Sequence, residues 1–135
     1  MLEMDISFPG GMRVDTRFKG FTVSTDQPRD EGGDNSAPEP YDLFVASLAT
    51  CAGVYVVSFC QERSIPTQDL KMRLTAEKND QTKLYEKITL FISLPAGFPD
   101  KYVRAVQKAA GLCTVKRSLA APPEFETVIQ NDQSV

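Results

Sequence analysis

The chain has 135 residues, 41% of them hydrophobic and 24% charged, with a formal net charge of −3 and no histidine. That length fits one domain, residues 1–135, around a single core, and the composition is that of an ordinary globular chain rather than a disordered or fibrous one. With no basic run longer than Lys116-Arg117, the charge offers no footprint for nucleic acid, and the missing imidazole closes Cys-His and Ser-His catalytic pairs and most zinc sets.

The elements are predicted in chain order as follows. Glu3 and Asp5 lie near the N-terminus, where a secretory signal would need a basic segment and an apolar run; a cytoplasmic location is expected. Met4, Ile6 and Phe8 alternate, the chain turns at Pro9-Gly10-Gly11, Met12, Val14 and Thr16 resume the alternation, and Phe21 and Val23 follow Lys19-Gly20. This predicts three short antiparallel strands joined by tight turns. Residues 26–39 are rich in Gly, Pro, Asp and Asn and form a loop. A long helix is expected from Tyr41 to Arg63, with Asn35 or Ser36 as candidate caps and Glu39 and Asp42 near its positive end. Its apolar stretch from Leu43 to Cys60 is interrupted by Ser47, Thr50, Gly53 and Ser58 and reads as a buried helix, not a membrane span.

Beyond Pro66, two alternating runs around Asn79-Asp80 predict a β-hairpin, ended by Pro95, Gly97 and Pro99. The spacing of Tyr102, Val103, Val106 and Ala110 predicts a second helix that Gly111 breaks. A short helix over Thr114–Ala120 and a final strand over Phe125–Ile129 complete the order βββ-α-ββ-α-α-β, an α+β fold.

Three cysteines, Cys51, Cys60 and Cys113, form no C-x-x-C pair. At 100° per residue Cys51 shares a helix face with Pro40, Phe44 and Tyr55, whereas Cys60 points the opposite way. Cys51 is therefore either a small core residue or a reactive thiol. Cys113 packs in a loop or, near a helix start and trailed by Lys116 and Arg117, is a thiol of lowered pKa. Any activation must come from Arg, Lys, a carboxylate, a backbone dipole or a tyrosine.

The segment PYDLFVASLATC resembles the helix-borne motif of the osmotically inducible protein C and organic hydroperoxide resistance (OsmC/Ohr) superfamily: a proline, two variable residues, a leucine, and a cysteine eleven places after the proline. CTVKRSL resembles the second cysteine motif of that family, usually Cys-Pro-Val, and the loop DQPRDEGGDNSAPEPYDLF is similar to the loop before the motif helix in the organic hydroperoxide branch. The likeness runs over roughly residues 3–130.

The resemblance implies an intertwined homodimer without metal or organic cofactor. It implies a peroxidatic thiol at Cys51 and a resolving thiol at Cys113, acting on a hydroperoxide and recharged by an external dithiol. It further implies an activating arginine, matched by Arg13 with Arg17 as fallback; Arg29 is a further loop arginine that reads equally as a solvated charge. Tyr41, Phe44 and Tyr55 are the expected substrate-contacting residues. Two positions depart from the family pattern. The glutamate that follows the motif proline is Tyr41, with Glu39 and Asp42 out of register, and the proline that follows the second cysteine is Thr114. A neutral phenol cannot hold a guanidinium as a carboxylate does. An alternative on the same scaffold is a non-catalytic binder of a hydrophobic small molecule around Phe44, Cys51 and Tyr55, and a third is a domain in which both cysteines are structural.

Overall fold

The structure is a computed structural model that describes residues 1–131. It is α+β. Its strands are β1 (Asp5–Gly10), β2 (Arg13–Phe18), β3 (Phe21–Thr25), β4 (Lys71–Lys78) and β5 (Tyr85–Ser93), and its helices are α1 (Pro40–Glu62), α2 (Val103–Ala110) and α3 (Thr114–Ala120). The described residues cluster into two compact units. One holds residues 1–50 and 71–93, the other residues 51–70 and those from Leu94 onward.

In the first unit, β1, β2 and β3 form an antiparallel sheet in sequence order and β4 and β5 form a separate antiparallel pair. The β2–β3 turn explains itself locally: Phe18 pairs with Phe21, and the two residues between them, Lys19 and Gly20, both take positive φ, 51° and 81°. That is the requirement of the type I′ hairpin, whose twist matches the flanking strands. The β4–β5 connection is organised by Asn79, whose side-chain oxygen accepts the N–H groups of Gln81 and Thr82 at 2.9 and 3.1 Å.

The loop before α1 is built on Asp26, which is 1% exposed. Its carboxylate accepts the Ser36 hydroxyl at 2.6 Å and the backbone N–H groups of Gln27, Asp34 and Ser36 at 2.8, 3.2 and 3.0 Å. These bonds hold its pKa down to about 2, the Ser36 hydroxyl contributing most. Ser36 is therefore not the helix cap that its position suggests, and neither is Asn35, which turns through φ 52°. Asp42 serves the helix entrance instead, accepting the Glu39 N–H at 3.1 Å.

The buried apolar core lies in the second unit. Ala52, Val56, Phe59 and Cys60 of α1 are joined there by Phe98, by Val106 and Ala110 of α2, and by Cys113. Helix α1 is long and apolar enough to cross a membrane by length and composition alone, and 22% of its most apolar stretch is buried within the chain. Val54 and Val57 are exposed.

The predicted strand over Phe125–Ile129 is not formed. Residues 122–131 have no regular secondary structure, and Phe125, Val128 and Ile129 are 85%, 65% and 84% exposed. A strand exists only with a ladder partner, and none of the described strands pairs with this segment.

Candidate active site: a thiol at an apolar cleft

Cys51 lies in the second unit at the point where α1 enters it, half-buried, and Cys113 is 2% exposed. Neither is in a disulfide, and folding places the Cys113 side chain, 62 positions on in sequence, beside Cys51, whose pKa it lowers. Cys113 is also the N-cap of α3, its sulfur accepting the Lys116 N–H at 3.5 Å.

The surroundings of Cys51 favour its thiolate. Its pKa is lowered first by the backbone N–H of Val115, then by the Cys113 thiol, against the opposing effect of burial, with the N–H and hydroxyl of Thr114 adding to the lowering. Cys60 behaves in the opposite way: it is fully buried, and burial raises its pKa, only partly offset by Arg63. One helix thus carries an inert core thiol and an activated one on opposite faces, as the nine-residue spacing predicts.

Thr114 is where the departure from the family motif acts. Proline at this position would have neither an N–H nor a hydroxyl, whereas Thr114 directs both at Cys51. The Thr114 hydroxyl also meets the Tyr55 hydroxyl at 2.9 Å. One guanidinium nitrogen of Arg117 donates to both, at 3.2 Å to Thr114 and 3.1 Å to Tyr55, while Arg117 Nε donates to the Leu112 carbonyl at 3.1 Å. Sequence reasoning placed Arg117 only among the cations trailing Cys113. The signal for its role was its position three residues after Thr114, the same helical face.

An open cleft of about 580 Å³ runs from Cys51 and Thr114 past Val54, Tyr55, Phe59 and Ala109 to Glu62 and Arg63. Its middle is apolar and aromatic. At its end the Arg63 guanidinium stacks 3.7 Å from the Phe59 ring centre and donates to the Phe59 carbonyl at 3.0 Å.

Of the remaining expected site residues, Arg13 sits in β2, exposed, donating Nε–H to the Gly10 carbonyl at 3.3 Å; it belongs to the first unit, as do Arg17, Tyr41 and Phe44. Tyr41 stacks on Phe44 and meets Tyr85 at a tilt, with ring centres 5.8 and 4.6 Å away. Among the described residues no group of three His, Cys, Asp or Glu side chains is placed to hold a metal ion.

The model of the OsmC-like protein family matches residues 33–128. No functionally curated protein matches the sequence. Among solved structures, a Psychrobacter arcticus 273-4 protein named for osmotic stress and detoxification superposes with a TM-score of 0.76 at 21% identity, over 87% of this chain and 88% of the other. An organic hydroperoxide resistance protein OsmC from Legionella pneumophila gives 0.58 at 20% identity, over 88% of each chain. An organic hydroperoxide resistance protein from Elizabethkingia anophelis gives 0.61 at 15% identity, over 90% and 89%. At these identities the likeness shows the fold.

Proposed function

Because the chain belongs to the OsmC-like protein family, we propose that it reduces organic or small hydroperoxides through a sulfenic acid on Cys51 and a Cys51–Cys113 disulfide. The observation that carries the reading is an activated Cys51 thiol that opens on an apolar cleft with the Cys113 side chain beside it.

The chemistry balances with those two sulfurs and one outside dithiol. The Cys51 thiolate attacks the distal peroxide oxygen, the O–O bond breaks, and the leaving alkoxide takes a proton to become an alcohol, or water if the substrate is hydrogen peroxide. Cys51, oxidised by two electrons, is then a sulfenic acid. The Cys113 sulfur attacks it, a water molecule leaves, and the disulfide forms. An external dithiol returns both thiols and leaves as its own disulfide. Arg13 is the guanidinium proposed to steady the leaving oxygen, and Val54, Tyr55 and Phe59 the side chains proposed to meet the organic part of the peroxide.

A cytoplasmic homodimer is the proposed working state. The exposed apolar side chains of α1 and of the C-terminal segment support it, since a second copy would cover surface that the single chain leaves open. The single-domain reading rests on α1, which runs unbroken from one unit into the other.

The apolar cleft also suits a hydrophobic ligand held without turnover. Consumption of cumene hydroperoxide with dithiothreitol as reductant separates the two. The peroxidase reading predicts catalytic consumption that Cys51→Ser abolishes. No consumption by the wild-type protein, with a small molecule retained in native mass spectrometry, supports the binder.

A further inference from the structure

The two hydroxyls and one guanidinium beside Cys51 have a fixed proton order. Arg117 is a donor only, and it donates to both Tyr55 Oη and Thr114 Oγ1. Each hydroxyl therefore spends a lone pair on Arg117 and keeps its single proton for another partner. Tyr55 and Thr114 face each other at 2.9 Å, and only one proton can lie between them. The Thr114 side chain hydrogen-bonds Cys51, which spends the threonine's single proton, so the proton between the two hydroxyls is the tyrosine's and the chain of donors runs in one direction.

We propose that Arg117, Tyr55 and Thr114 form a directional hydrogen-bond relay that delivers the Thr114 hydroxyl proton to Cys51 as a donor, and that Arg117 acts as a positioning residue through it. Arg117 is itself held by the Leu112 carbonyl through Nε, so its two remaining bonds are made by a guanidinium already oriented. The relay needs Thr114: with proline in its place the chain ends at Tyr55 and nothing passes to the sulfur. The threonine at that position and the guanidinium three residues on are therefore one device.

This deepens the proposed peroxidase function and rests on Cys51 being its nucleophile, but the relay itself is tested without turnover. The other ionisable groups around the cleft are few. Glu62 and Arg63 lie at its far end, 3.6 Å apart, about 16 Å along α1 from Cys51 by helical rise; α3 adds Lys116 and Arg117, and α2 faces the cleft with Ala109.

The test is the pH dependence of iodoacetamide alkylation at Cys51, followed by peptide mass spectrometry in the full chain. Arg117→Met should raise the apparent pKa of Cys51 by about half a unit to one unit. Thr114→Val should raise it similarly, Tyr55→Phe should raise it less, and Thr114→Ser should leave it near the wild-type value. The decisive comparison is the double variant Arg117→Met with Thr114→Val, which should show no further rise beyond Thr114→Val alone. Additive shifts would mean that Arg117 acts as a bare charge, and an unchanged profile in folded Arg117→Met would mean that it does not act on Cys51; either overturns the relay. Should Thr114→Val fail to fold, Arg117→Met combined with Tyr55→Phe decides in its place: a shift smaller than the sum of the two single shifts is expected from the relay, and additive shifts overturn it. A shifted alkylation profile in a protein that consumes no peroxide would sink the peroxidase reading and leave the relay standing.

Discussion

Tyr41 accepts the backbone N–H of Tyr85 through its hydroxyl at 2.9 Å, fastening the first turn of α1 to the start of β5. Lys78 lies 5.7 and 5.1 Å from the two ring centres, so a cation and two aromatic faces close the same corner. Where the family pattern has a glutamate to hold an arginine, this chain has a structural clasp. Tyr41→Phe should lower stability by about 1 kcal/mol, the ordinary worth of one hydrogen bond, measured by urea denaturation, and should leave the Cys51 alkylation profile unaltered. A moved profile would mean that Tyr41 acts on the thiol.

The Asp26 loop predicts an acid limb in stability. The carboxyl is held at about 2 in the folded chain, below its ordinary value near 3.9. A depressed folded pKa means that its contribution is fully present above about pH 4 and is lost as pH falls through 2. Asp26→Asn should lower stability at neutral pH and flatten the fall between pH 5 and 2, as denaturation midpoints across that range would show. An equally steep fall in the variant would assign the acid sensitivity to other carboxylates.

Gly33 closes the same loop. A Cβ there would overlap the Gln27 carbonyl and crowd the Asp26 carboxylate, and backbone overlap is not relieved by a rotamer change. Gly33→Ala should destabilise by about 1–3 kcal/mol, the range for forced overpacking, read from thermal unfolding. A neutral effect would show that the loop can open without loss.

The two cysteines of α1 should differ sharply in reactivity. Cys60 is fully buried and its pKa is raised by burial, while Cys51 opens on the cleft with its pKa lowered. At pH 7 iodoacetamide should label Cys51 in the native protein and leave Cys60 unlabelled until denaturant is added. Equal labelling of both would contradict this.

The sequence carried most of the elements because their signals are local. Lys19-Gly20 marks its own hairpin, and Thr114–Ala120 begins at its cap and forms a helix over the predicted residues. The face of α1 that carries Cys51 and Tyr55 followed from helical period alone. What failed or stayed hidden depended on distant partners. Ser36 looks like a cap, but Asp26, ten residues earlier, takes its hydroxyl. Phe125–Ile129 is rich in strand-forming residues, yet propensity without a ladder leaves Phe125, Val128 and Ile129 exposed. Thr114 reads as a lost proline, and its two donors gain meaning only when α3 meets Cys51.

The most direct test of the account is to treat the reduced protein with one equivalent of cumene hydroperoxide and map its cysteines by non-reducing peptide mass spectrometry. The account predicts one Cys51–Cys113 disulfide within the chain with Cys60 still a thiol. Three intact thiols after that treatment would contradict it.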